Sequence, residues 1–240
     1  MLEEKTIVDN KTLITQATEN GKKPIHFIGL GGIGMSGLAR FLIELGFKVT
    51  GSDIADSAYL HSIVEMGGTV FVGHEAKNIG NAALVVASTA IKPENPELIE
   101  AKNKKLPILH RSQVLEALMS GLGLEKPEEL VSIGVSGTHG KTTTSGMLSM
   151  IFETADKNPS IVVGGILPSL KTNSKSGNGK YFISELDESD GSIAIYKPGI
   201  TIITNLEADH LDHYSGGLEQ LLQTFEGYIS RLNPDSKIIV

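Results

Sequence analysis

The stretch Gly137-Thr138-His139-Gly140-Lys141-Thr142-Thr143-Thr144 brings together the residue types that a polyphosphate needs. It follows the apolar run Val131-Ser132-Ile133-Gly134-Val135 and precedes Met147-Leu148-Ser149-Met150-Ile151-Phe152, which reads as strand, glycine-rich loop and helix. Glycines let backbone N–H groups curl around phosphate oxygens, and the helix N-terminus adds a positive field. Lys141 can then reach the terminal phosphates, and the Thr142 hydroxyl can hold Mg²⁺. Gly137, Thr138, His139, Gly140, Lys141, Thr142 and Thr143 are thus the expected nucleoside-triphosphate loop. One position departs from the common pattern: five residues before Gly140 stands Val135, with Gly134 and Gly137 on either side. The competing reading is a glycine-rich turn with a surface lysine, and the order strand, loop, helix weighs against it.

A second loop, Gly29-Leu30-Gly31-Gly32-Ile33-Gly34, satisfies G-x-G-x-x-G after a strand at 25–28 and before a helix at 37–45. Asp53 closes the next strand, at about the distance where a ribose-binding acid would sit. Alone, this pattern says dinucleotide. The same bare backbone and helix terminus serve any pyrophosphate, a nucleotide sugar included, because neither reads the second base. A tight turn with no ligand is the remaining alternative.

Two acidic segments complete the candidate chemistry. Glu185-Leu186-Asp187-Glu188-Ser189-Asp190 ends one expected strand, and Asn205-Leu206-Glu207-Ala208-Asp209-His210-Leu211-Asp212 follows another. In a parallel sheet both lie at the carboxyl edge, where the phosphate loop also opens. A carboxylate there can hold Mg²⁺ against a triphosphate, and Glu185, nearest the strand end, is best placed. Solvated turns are an equally good account of any single acid. His210 is less suited to Mg²⁺, which prefers oxygen, and imidazole suits softer metals. His26, His61, His74, His110 and His213 read as ordinary surface or hydrogen-bonding residues.

The elements that must position these groups alternate strand and helix from Pro24 onward. The fold class is α/β: a Rossmann-like doubly wound parallel sheet at 24–112, a linker at 113–130 that opens with a helix-like run from Gln113 to Met119, and a phosphate-loop α/β unit at 131–240 that stops short of completion. Residues 1–23 read as a flexible lead-in with room for a short helix, and the Gly/Ser/Asn/Lys-rich stretch 171–180 as a loop. Leu218, Leu221, Leu222, Phe225 and Ile229 form a stripe at helical spacing, expected to face the core. With 240 residues, 40% of them apolar, and mean hydropathy near zero, the chain can bury a sizeable core. Its 21 Lys and Arg against 28 Asp and Glu give a net charge of −7, which argues against a nucleic-acid footprint and against attraction to anionic membranes. There is no cysteine, so disulfides and thiolate chemistry are excluded, and a cytoplasmic setting fits. No apolar run is long enough to span a bilayer.

Taken together, 25–37 with its glycines, Gly51-Ser52-Asp53, Ser88-Thr89-Ala90-Ile91, 137–144, 185–190 and 205–210 resemble the Mur ligase family. The resemblance runs in order from about residue 24 to the C-terminus. It implies ATP-dependent formation of an amide between UDP-N-acetylmuramate and L-alanine, in peptidoglycan precursor synthesis, through an acyl phosphate. By the resemblance, Gly31, Gly32, Ile33, Gly34, Met35, Ser36, Asp53, Ser88 and Thr89 bind the UDP part, and residues 137–143 bind ATP. Thr142 and Glu185 would hold a first Mg²⁺, and His210 with Glu185 a second metal, where Mn²⁺ is an alternative. Lys141, Glu185, His210 and His139 would serve catalysis, His139 by positioning the substrate carboxylate.

Two features depart from the family: the segment 121–130 is longer than usual, and Ile193 stands where relatives tend to have an aromatic residue. Family members also carry a third, C-terminal domain that binds the amino acid. The expectation is therefore a fragment without turnover of its own. Rival readings are the related tripeptide-recycling ligase, a non-catalytic UDP-sugar-binding module, and a nicotinamide-dependent oxidoreductase.

Overall fold

The computed structural model describes residues 9–124, 126–189, 191–209 and 214–240. After α1 (Asn10–Ala17), the first half alternates β1 (Ile25–Ile28), α2 (Ile33–Glu44), β2 (Val49–Asp53), α3 (Ala58–Glu65), β3 (Thr69–Val72), β4 (Leu84–Ala87), α4 (Pro96–Asn103), β5 (Ile108–His110) and α5 (Arg111–Met119). Its strands form a parallel sheet in the order β3-β2-β1-β4-β5. β1 and β4 are buried along their length, as central strands covered on both faces must be. Ile25 and Phe27 of β1 join Leu84 and Val86 of β4 on one face, while Ile28 and Val85 meet Ile79 and Ala101 on the other. This is the expected Rossmann-like half.

The second half contains β6 (Val131–Ser136), α6 (Lys141–Thr154), β7 (Ser160–Leu167), β8 (Thr172–Lys175), β9 (Tyr181–Glu185), β10 (Ile200–Ile203), α7 (Gly217–Ser230) and β11 (Lys237–Ile239). The sheet order is β11-β10-β6-β9-β7-β8, parallel except for the antiparallel β7–β8 pair. The carboxyl ends of β6, β9 and β10 lie side by side, with Val135 opposite both Glu185 and Ile202. That register brings the phosphate loop and both acidic segments to one edge.

The two sheets share one core. Leu38 and Phe41 of α2 lie in the same buried cluster as Val162, Phe182 and Leu186, and the Phe41 and Phe182 ring centroids are 5.4 Å apart. Helix α2 is therefore apolar nearly all round, because it is wedged between its own sheet and the second one. Among the described residues, no helix is long and apolar enough to cross a membrane.

Several readings of the sequence need correction. The lead-in at 1–23 does hold the short helix it had room for, α1, but from Asp9 onward it packs into the fold and is no loose lead-in. Asp9 caps α1 by accepting from the Thr12 amide at 2.9 Å, Ile14 is fully buried, and Asn10 Nδ2 donates to Glu116 Oε2 of α5 at 2.8 Å. Residues 1–8 lie outside the described residues. The helix expected from Gln113 to Met119 is present as α5, which starts at Arg111, and its Val114, Ala117 and Leu118 are core residues, so this part of 113–130 belongs to the fold and not to a linker. The stretch 171–180 holds β8, and in α7 the buried face is Leu221, Phe225 and Tyr228, while Leu218, Leu222 and Ile229 are 36–41% exposed.

Candidate active site

Between β6 and α6 the chain turns through Gly137 and Gly140, both with positive φ (127° and 81°). At Gly137 a Cβ would stand 2.3 Å from Thr204 Oγ1, so only glycine fits. The loop is fastened from the side by the segment after β10. The Thr138 and His139 amides donate to Asn205 O and Oδ1 at 2.9 and 3.0 Å, and Thr204 Oγ1 and Asn205 Nδ2 donate to His139 O. The Glu207 amide donates to Thr138 Oγ1 at 2.9 Å. The amides of the first turn of α6 have no partner within the helix and face the same edge.

Three groups converge beside this turn. Thr142 Oγ1 donates to Glu185 Oε2 at 2.8 Å, and the Gly164 amide donates to the same oxygen at 3.0 Å. Two oxygens at this spacing match neighbouring ligands of an octahedral Mg²⁺ with bonds of about 2.1 Å. Hydroxyl plus carboxylate is also the hard donor set that Mg²⁺ takes, so the residues present fit the ion. Lys141 Nζ donates to Glu188 Oε1 at 2.9 Å and to Gly137 O at 2.6 Å. Glu188 is 4% exposed and also receives the Ser136 hydroxyl. Among the described residues, no group of three His, Asp or Glu is arranged to hold a metal.

In the first loop, the Gly31 amide donates to Asp53 Oδ2 at 2.7 Å, and a Cβ on Gly31 would meet that oxygen at 2.8 Å. Asp53 thus holds the loop's shape with one carboxylate oxygen. Gly32 caps α2 without a side chain, which leaves the first-turn amides at Ile33, Gly34 and Met35 outside the helical ladder. The side chains of Met35 and Ser36 point inward: Met35 is a core residue, and the Ser36 hydroxyl donates back to Gly32 O at 2.9 Å. Any contact from these two comes through backbone. Ser88 and Thr89 follow β4 at the same carboxyl edge, Thr89 exposed and Ser88 half-buried.

One cleft of about 240 Å³ is lined by Ile33 and Gly34 of the first loop from one side and by Lys141, at the start of α6, with Gly164, Glu185 and Asp187 from the other. Arg111, the first residue of α5, spans its wall. Its guanidinium pairs with Asp187, and Nη1 lies 3.6 Å from where a Gly34 Cβ would be. Burial alone would raise the Asp187 carboxyl, but the Ser189 hydrogen bonds and Arg111 hold it below the usual carboxylate range.

The structure brings Lys141, Thr142 and Glu185 together and places His139 at the exposed rim, with Nε2 3.4 Å from Asp209. His210 lies outside the described residues. Residue types alone did not single out Glu188, Arg111, Asn205 or Asn173. Glu188 stood in a flagged acidic run, but its partner is 47 residues away. Asn173, 2% exposed, donates to Ile33 O at 2.9 Å and ties β8 to the start of α2.

Comparison with known proteins agrees with this layout. Residues 24–122 match the model described as "Mur ligase family, catalytic domain", and residues 135–240 match the "Mur ligase middle domain". A UDP-N-acetylmuramate–L-alanine ligase of Trichlorobacter lovleyi is 44% identical over 87% of this chain, which spans only 44% of that relative's length. The crystal structure of a UDP-N-acetylmuramate-alanine ligase from Thermotoga maritima superposes with a TM-score of 0.78 at 33% identity, covering 87% of this chain and 47% of the other. A UDP-N-acetylmuramate:L-alanyl-gamma-D-glutamyl-meso-diaminopimelate ligase from Neisseria meningitides also gives 0.78, at 26% identity, covering 90% of this chain and 70% of the other. Two glycine loops on separate sheets, with residues of the first loop and Lys141 beside the second lining one cleft, and two consecutive domain models matched in order, place this chain in the Mur ligase family.

Proposed function

We propose that the chain is the sugar-nucleotide- and ATP-binding part of an enzyme that joins L-alanine to UDP-N-acetylmuramate. The observation that carries this reading is the shared cleft: the glycine loop of the first sheet and Lys141 with Glu185 of the second line the same space. A carboxylate bound from one side therefore meets a triphosphate bound from the other, as acyl-phosphate formation requires. The 44% identity to a relative of that name favours L-alanine over the tripeptide used by the 26% identical neighbour.

In this reading the first-turn amides of α2, with Asp53, Ser88 and Thr89, hold the uridine diphosphate part, and residues 137–143 hold ATP. A muramoyl carboxylate oxygen attacks the γ-phosphorus and ADP departs. The alanine amine then attacks the acyl carbon, and phosphate leaves through a tetrahedral intermediate. Lys141 steadies the phosphoryl oxygens. Thr142 and Glu185 would hold Mg²⁺, which when bound neutralises charge on those oxygens. His139, at the rim, orients the substrate carboxylate, and His210 with Glu185 would take the second metal. The cytoplasm, where nucleotide substrates are available, is the proposed setting.

Glu185→Ala tests the metal assignment on this chain alone. The native chain should bind ATP at least about tenfold more tightly with Mg²⁺ than with a chelator, and the variant should lose that difference. Retention of the full Mg²⁺ dependence by the variant would remove Glu185 from the site.

A further inference from the structure

The Lys141 ammonium has three protons, and each has an acceptor. Nζ donates to Gly137 O at 2.6 Å, Thr138 O at 3.3 Å and Glu188 Oε1 at 2.9 Å. The first two acceptors follow from how the loop is fastened. A trans peptide points its C=O and the next N–H in opposite directions. With the Thr138 and His139 amides turned to Asn205, the Gly137 and Thr138 carbonyls must face the other way, onto Lys141. These two contacts belong to the loop's own shape, and any phosphate that keeps that shape must take the third proton.

Glu188 holds that third proton, and it is not a loose surface partner. Its side chain is 6% exposed and Ser136 Oγ lies 3.4 Å from Oε2. Its backbone carbonyl accepts from the Tyr214 hydroxyl and from the Gly191 amide at 3.0 Å. The carboxylate is thus anchored through its own main chain, independently of Lys141.

We propose that Glu188 is a restraining counter-ion: it occupies the Lys141 proton that a terminal phosphate needs, so nucleotide binding exchanges Glu188 for phosphate on the lysine. The inference rests on the phosphate-loop reading above. Only a ligand with enough local negative charge to displace a buried carboxylate gains Lys141, so the exchange favours triphosphate over monophosphate. After transfer, Glu188 recaptures the lysine and favours departure of the less highly charged product.

Calorimetric titration of the 240-residue chain with Mg-ATP, ADP and AMP tests this on the native protein, Glu188→Gln, Lys141→Met and the double variant. Removing the carboxylate charge frees Lys141 and lessens repulsion of phosphate, and both changes act in the same direction. Glu188→Gln should therefore bind Mg-ATP about tenfold more tightly, ADP by less, and AMP unchanged. The part of the gain that comes from freeing Lys141 should vanish when Lys141 is already methionine, leaving only the relief of repulsion. Glu188→Asp, which withdraws the carboxylate from Lys141 by one methylene, should shift affinities in the same order if the glutamine variant folds poorly. Unchanged or weaker Mg-ATP binding by the folded Glu188→Gln and Glu188→Asp variants, or an equal shift for all three nucleotides, would overturn the restraint. Failure of all four proteins to bind ATP would instead overturn the phosphate-loop reading, and the restraint with it.

Discussion

Lys141→Met should lower the affinity of the chain for Mg-ATP by about a hundredfold, while leaving affinity for the sugar nucleotide within about twofold. Two losses add. The ammonium no longer meets the terminal phosphates, and charge-assisted contacts of this kind are among the stronger hydrogen bonds available. Glu188 is also left buried without its cation, beside the place a triphosphate must enter. Methionine keeps the length and packing of the lysine stem, so the first-turn amides of α6 and the fastening by Asn205 should persist. Parallel titrations with Mg-ATP and UDP-N-acetylmuramate provide the check. Equal weakening of both ligands would mean a general loss of structure, and an unchanged ATP affinity would remove Lys141 from the phosphate site.

Glu97→Ala should destabilise the chain by about 3–5 kcal/mol, more than other single changes distant from the cleft. Glu97 lies on α4 and is fully buried. Its Oε2 accepts from Ser52 Oγ at 2.5 Å and lies 3.3 Å from His26 Nε2, and its Oε1 accepts from Asn78 Nδ2 at 2.6 Å and from the Glu75 amide at 3.2 Å. Truncation leaves the buried His26 Nε2 facing a void and takes one partner each from Ser52 and Asn78, which keep His74 and Gly73 O, and the loss together costs more than one net hydrogen bond. Burial by itself would raise the Glu97 carboxyl, but the hydrogen bonds from His26, Ser52 and Asn78 outweigh it and hold the group below the ordinary glutamate value of 4.5. A carboxyl lowered in the folded state stabilises fully above its unfolded value, and that contribution is lost as pH falls through the folded one. Urea denaturation at neutral pH and between pH 5 and 3 should therefore show the native advantage over Glu97→Ala shrinking on the acid side. A pH-independent gap would mean that packing, not charge, holds this cluster.

The sequence disclosed what depends on neighbours along the chain. Both glycine loops lie between a strand and a helix within about a dozen residues, and the alternation of apolar runs marks the parallel sheets because central strands are buried on both faces. Glu185 was legible for the same reason: it ends a strand beside the phosphate loop. What escaped depends on partners far along the chain. Strand β8 is Thr172-Asn173-Ser174-Lys175, polar throughout, and it is a strand because β7 pairs with it and Asn173 reaches Ile33, 140 residues away. Helix α1 carries a narrow apolar face and gains its order from α5. The Arg111–Asp187, Lys141–Glu188 and His26–Glu97 pairs obey no spacing rule, because each is set by how the sheets and helices stack.

The central claim is that the two glycine loops serve a nucleotide sugar and ATP across one cleft. Calorimetric titration of this chain with UDP-N-acetylmuramate, with NADH as the control ligand, tests it most directly, because the Rossmann-like half with its Asp53-held loop is already assembled. Saturable one-to-one binding of the sugar nucleotide, with none for NADH, is the predicted result. Binding of NADH in place of the sugar nucleotide would contradict the account and return the first loop to a dinucleotide reading.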